Sequence, residues 1–127
     1  MRVLRSKEFT RFARKNRISD SELCRAIAEL HTGTIDADLG GGVFKQRLRR
    51  PGEGKSGGFR TIILLRWKSL GIFVFGFAKS ERANITSSEL KAWRKIAKNL
   101  LTGSAVVQAA IDEGKLIEVS CDEKAIS

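Results

Sequence analysis

Phe59-Arg60-Thr61-Ile62-Ile63-Leu64-Leu65-Arg66-Trp67 and Ile72-Phe73-Val74-Phe75-Gly76-Phe77-Ala78 are separated only by Lys68-Ser69-Leu70-Gly71. Runs of this length, rich in β-branched and aromatic residues and joined by a short polar link containing glycine, predict a β-hairpin. In the second run Phe73, Phe75 and Phe77 alternate with Val74, Gly76 and Ala78, so both faces of that strand are apolar. A strand of that kind belongs in the middle of a sheet, covered on both sides. The covers must come from the chain before and after the hairpin.

Upstream, Val43-Phe44-Lys45-Gln46-Arg47-Leu48-Arg49 places cations at i, i+2 and i+4. An extended chain alternates its faces, so Lys45, Arg47 and Arg49 share one face and Phe44 and Leu48 take the other. Arg50 to Gly58, with four glycines and the only proline, reads as a loop between this strand and the hairpin. Asp36 to Gly42 reads as a turn-rich connector into the basic strand. The N-terminal third reads as two helices. Phe9, Phe12 and Ala13 recur at helical spacing, and Ser19-Asp20-Ser21-Glu22 has the form of a capping box. Leu23, Ala26, Ile27 and Leu30 supply the second helix's buried stripe, and Gly33 is placed to end it. Downstream, Thr86-Ser87-Ser88-Glu89 is a second capping box, followed by Leu90, Trp93, Ile96, Ala97 and Leu100. Gly103 and Ser104 divide this helix from a shorter one holding Val107, Ala110 and Ile111. Lys115 to Val119 follows as a possible edge strand. The expectation is a single domain over residues 1–127 of α+β class: two N-terminal helices, a small, mainly antiparallel twisted sheet, and C-terminal helices.

The chain carries 24 Lys/Arg against 14 Asp/Glu, a net charge of +10. Residues 43–82 hold 10 cations against 2 acids, which is +8 of that excess. Charge focused on one element makes an anion-binding surface, and a polynucleotide backbone is its natural partner. The longest apolar run is too short to span a bilayer, and the start lacks the apolar stretch of a signal peptide. Cys24 and Cys121 stand far apart without CxxC spacing, which suits a cytoplasmic, reducing compartment and argues against a disulfide framework. Cys24 reads as a small packed residue and Cys121 as incidental. His31 is the only histidine and the acids do not cluster, so neither metal nor cofactor is expected. At the end of its helix, a charged His31 would suit the helix dipole.

Three cationic groups converge on the hairpin: Lys45, Arg47 and Arg49 on the basic strand, Lys55 and Arg60 at the loop's end, and Lys79 and Arg82 after the last strand. Such a cluster can serve RNA cleavage by the neighbouring 2′-hydroxyl. Arginine meets the charge growing on phosphate oxygens, and a lysine crowded by cations can exchange the proton. Glu81 is the alternative base. Arg60 could also pair with Glu81 across the hairpin.

Gly54-Lys55-Ser56-Gly57-Gly58-Phe59-Arg60 and Phe77-Ala78-Lys79-Ser80-Glu81-Arg82-Ala83-Asn84-Ile85 resemble the RelE/ParE superfamily of toxins from type II toxin–antitoxin modules, closest to its HigB-like branch. The resemblance covers most of the chain. It implies a small α+β fold, a basic cleft that cleaves mRNA on the ribosome and so inhibits translation, and a cognate antitoxin. By position it gives Arg60 the family's phosphate-binding role and assigns Lys45, Arg47 and Lys55 to the basic strand and loop. Ser80 stands where the founding ribosome-dependent toxin has a catalytic arginine, and Thr86 where it has a base-stacking tyrosine. Trp67, Phe59 or the ribosome would then supply the stacking.

The reading is a metal-independent endoribonuclease toxin without cofactors. Arg60, Lys55, Lys79, Glu81 and Arg82 are its catalytic candidates, and Lys45, Arg47 and Arg49 its RNA-binding ones. A gyrase poison acting by protein binding and a non-catalytic nucleic-acid-binding module are the alternatives. The density of cations favours the nuclease.

Overall fold

The computed structural model describes residues 1–48 and 58–121. The glycine-rich loop, with Arg49 and Lys55, lies outside the described residues. The expected hairpin is present as β4 (Phe59–Arg66) and β5 (Leu70–Ala78), joined by a turn at Trp67–Ser69 in which Ser69 N–H donates to the Arg66 carbonyl at 3.0 Å. The basic strand is β3 (Val43–Leu48), antiparallel to β4. A two-residue strand, β2 (Ala37–Asp38), forms inside the expected connector and pairs antiparallel with β3.

The N-terminus differs from expectation. Before the helices, Arg2–Ser6 forms β1, which pairs parallel with β5 and antiparallel with β6 (Leu116–Glu118). Only Val3, Leu4 and Ser6 of β1 are buried, too few residues for a clear alternation to show in the sequence. The sheet order is β2-β3-β4-β5-β1-β6, so β5 is internal as its two apolar faces require, and β6 is an edge.

Helices α1 (Lys7–Lys15) and α2 (Asp20–His31) cover one face, and α3 (Ser87–Leu100) and α4 (Ser104–Asp112) the other. Both expected capping boxes are formed, at Ser19/Glu22 and Thr86/Glu89. Phe9, Ala13, Leu23, Ile27 and Leu30 pack with Ile63 and Phe73 on the first face. Ile62, Leu64, Ile72 and Val74 pack with Ala97 and Val107 on the second. Ile96, expected in the α3 stripe, is instead 39% exposed.

The three phenylalanines of β5 do not share a face. Ile63 pairs with Phe73 and Ile62 with Phe75, so Val74 is an extra residue and the strand bulges there. The bulge leaves Phe73 against Phe9 at 5.2 Å between ring centroids and turns Phe75 to the other side, 6.3 Å from Trp93. Two residues later, Gly76 admits the ring of Phe12: a Cβ there would lie 2.4 Å from that ring.

Cys24 and Cys121 form a disulfide, which overturns the sequence expectation for both residues. The strand pairing explains it. β6 returns along β1, Val119 N–H donates to the Val3 carbonyl at 2.9 Å, and the chain beyond reaches α2. A separation of 97 residues therefore closes to 5.7 Å between Cα atoms, within ordinary disulfide reach.

Candidate nucleic-acid interface

Strand register builds the site. Arg47 lies opposite Arg60, and Arg60 opposite Phe77; one row along, Lys45 lies opposite Ile62, and Ile62 opposite Phe75. Directly paired residues project to the same face, so two cross-strand rows stand side by side with three cations at their β3–β4 end. At the same end of the sheet, Lys79 N–H donates to the Gly58 carbonyl at 3.3 Å, which sets Lys79 and Glu81, both exposed, beside the start of β4. The sequence expectation that Arg60 lies beside the Lys79 end of β5 is met.

Arg60 itself is not open to solvent. It is 5% exposed, with Nη1 donating to the Phe59 carbonyl at 3.4 Å and Nε lying 3.5 Å from Asp36 Oδ2. Asp36 Oδ1 is 3.7 Å from Nη2 of Arg47, whose side chain is 43% exposed. Among the described residues Arg60 is thus paired with Asp36 and not with Glu81. The sequence reading missed Asp36, placing it in a connector, because its partners come from strands that follow it in the chain.

Gln46 holds Asp36 in place. On the opposite face of β3 from the cations and 2% exposed, its amide donates to the carbonyls of Thr34 at 2.7 Å and Ala26 at 3.4 Å, and accepts from Asp36 N–H at 3.0 Å. A polar residue at a core-facing strand position was the available signal, since a buried amide is kept only with its hydrogen bonds made. Beside this clamp lies a cavity of about 480 Å³, lined by Glu22, Arg25 and Glu29 from α2 and by Asp36, Gln46 and Arg47.

Arg82 forms a wall of the site. Its guanidinium carbon lies 5.5 Å from the ring centroids of both Phe75 and Phe77. Nε donates to the Asn84 carbonyl at 3.0 Å, and Nη1 and Nη2 both reach the Glu89 carboxylate. The Arg82 hydrogen bond, followed by the backbone bond at Thr86, holds the Glu89 carboxyl below the usual range. Arg82 thereby ties the chain after β5 to the first turn of α3.

The two aromatics expected to stack on a base do not stand in the site. Phe59 is 1% exposed and packs edge-on against Phe12. Trp67 is 49% exposed but follows the far end of β4, about 23 Å from Arg60 at the usual strand rise. There it packs on His31 at 4.6 Å. His31 Nε2 accepts from Lys68 N–H at 3.0 Å and its Nδ1 lies 3.0 Å from the Ile27 carbonyl, so the ring ties the end of α2 to the turn after β4.

Residues 1–119 match the family described as the RelE toxin of the RelE/RelB toxin–antitoxin system. The chain belongs to that family and is a toxin of a toxin–antitoxin pair, with a cognate antitoxin as its partner. No curated protein matches it. Among the described residues, no helix is long and apolar enough to cross a membrane.

Proposed function

We propose that this toxin is an endoribonuclease of the HigB-like branch that cleaves mRNA on the ribosome and stops translation. The observation that carries the reading is the cross-strand cluster of Lys45, Arg47 and Arg60 beside the exposed Lys79 and Glu81. In the reaction the 2′-hydroxyl loses its proton and attacks the adjacent phosphorus. Negative charge grows on the phosphate oxygens, and the departing 5′-oxygen takes up a proton. Arg60 meets the developing charge, while Lys45, Arg47 and Arg49 track the backbone. Lys55, Lys79 and Glu81 are the candidates for moving the protons, with the lysines favoured as base. Packed under Glu89 and over two rings, Arg82 supports the site from its wall.

Expression without antitoxin, followed by pulse-labelling, tests the reading. Protein synthesis should fail first, with cleaved mRNA. Loss of DNA synthesis first, with mRNA intact, would assign the gyrase-poison alternative. In single-turnover cleavage Arg60→Ala should cost roughly 10²–10³ in rate, the scale of one preorganised donor. Lys45→Ala and Arg47→Ala should weaken binding, with a much smaller effect on cleavage of saturated complex. A folded Arg60→Ala protein with normal turnover would remove Arg60 from the chemistry.

A further inference from the structure

We propose that Asp36 is an internal stand-in for the substrate phosphate: it occupies the anion position between Arg47 and Arg60 and must be displaced when RNA binds. This rests on the reading of those arginines as phosphate contacts. The geometry sets Asp36 apart from an ordinary structural ion pair. Its two oxygens face two different arginines at 3.7 and 3.5 Å, close enough for attraction but beyond a good hydrogen bond. Oδ2 is buried with no hydrogen-bond partner among the described residues. A carboxylate kept for stability alone would be expected to close those contacts, because a buried charge is costly unless fully hydrogen-bonded. Its backbone, by contrast, is fixed by Gln46 at 3.0 Å, so the segment stays while, among the described residues, the carboxylate is held by its ion pairs to Arg47 and Arg60. The adjoining cavity of about 480 Å³, lined by both Asp36 and Arg47, gives the carboxylate room to swing aside without opening the core. With Asp36 seated, the arginines are aligned and half of their combined charge is offset. When a phosphate takes its place, the same two guanidiniums meet an anion with more oxygens to share.

The test compares wild type with Asp36→Asn, which keeps shape and removes charge. Inorganic pyrophosphate and a short single-stranded RNA serve as probes, titrated by calorimetry. If Asp36 competes for the site, Asp36→Asn binds both probes tighter, by about five- to 150-fold, the size usual when one interaction is coupled to the binding of a ligand. The gain should vanish when Arg47→Ala is added. Glu29→Gln, which removes a neighbouring charge that touches neither arginine, should show little of it. Equal or weaker binding by Asp36→Asn, or an equal gain in Glu29→Gln, overturns the proposal. Should Asp36→Asn fail to fold, wild type decides. Pyrophosphate should shift the NMR signals of Arg60 Nε and the Asp36 carboxylate carbon together, and signals that stay fixed at saturation refute displacement. Tighter binding by Asp36→Asn beside a wild type that cleaves no mRNA would keep this proposal and sink the nuclease reading. Normal cleavage with no gain in affinity would do the reverse.

Discussion

Arg82 and Arg60 show how little a residue's type says about its duty. Both are arginines at the basic end of the sheet, yet Arg60 is compensated at a distance by Asp36, while Arg82 is bound by Asn84 and Glu89 and covered on one side by Phe75 and Phe77. The Glu89 carboxyl, held low chiefly by Arg82, gives a pH test of the second arrangement. A carboxyl whose pKa is depressed in the folded protein adds stability above its unfolded value, and that contribution is lost as pH falls through the folded value. Wild type should therefore melt higher than Arg82→Ala at pH 7, and the gap should shrink as pH drops below about 4, where carboxylates take up protons. Thermal melts followed by circular dichroism between pH 7 and pH 3 read this directly. A gap that stays constant to pH 3 would mean Arg82 stabilises through its ring contacts alone. Because the Arg82 and Glu89 side chains are each 34% exposed, solvent screening should keep the effect modest.

Two features of the elements set the shape on which the site is built. The bulge at Val74 distributes the β5 phenylalanines between the two cores, and Gly76 makes room for Phe12 just beyond it. Gly76→Ala should cost about 1–3 kcal/mol, the usual penalty for overpacking, since Phe12 is wedged between Phe9 and Phe59 at 5.7 and 5.5 Å and has little freedom to give way. Urea unfolding measures it; an unchanged midpoint would show that the ring moves freely. The disulfide constrains a loop of about 100 residues, for which chain entropy predicts a stabilisation of up to ~4–5 kcal/mol. Cys121→Ser should lower the urea midpoint under oxidising conditions and match reduced wild type. Equal stability of oxidised and reduced wild type would show that the crosslink adds nothing to the fold.

At the scale of the whole molecule, residues 43–82, the stretch that carries the site, hold +8 of the net charge of +10, and RNA affinity should fall steeply with salt as counterions return to the phosphates. The logarithmic slope should decrease by close to one for each of Lys45→Ala and Arg47→Ala. Slopes unchanged by both substitutions would place the backbone contacts elsewhere. The sequence determined the hairpin, the internal position of β5, both capping boxes, the strand alternation of Lys45 and Arg47, and the α+β class, because each follows from spacing within a few residues of chain. It also marked Arg60 as lying beside Lys79, since an antiparallel hairpin brings those ends together. What only the tertiary structure decided depends on residues far apart in the chain. The pairing of β1 with β5 and β6, the disulfide between Cys24 and Cys121, and the seat of Asp36 between Arg47 and Arg60 all arise from contacts that no local pattern encodes. The bulge at Val74 belongs with them, because one unpaired residue reversed the faces of Phe75 and Phe77 without leaving a mark in the alternation of the sequence.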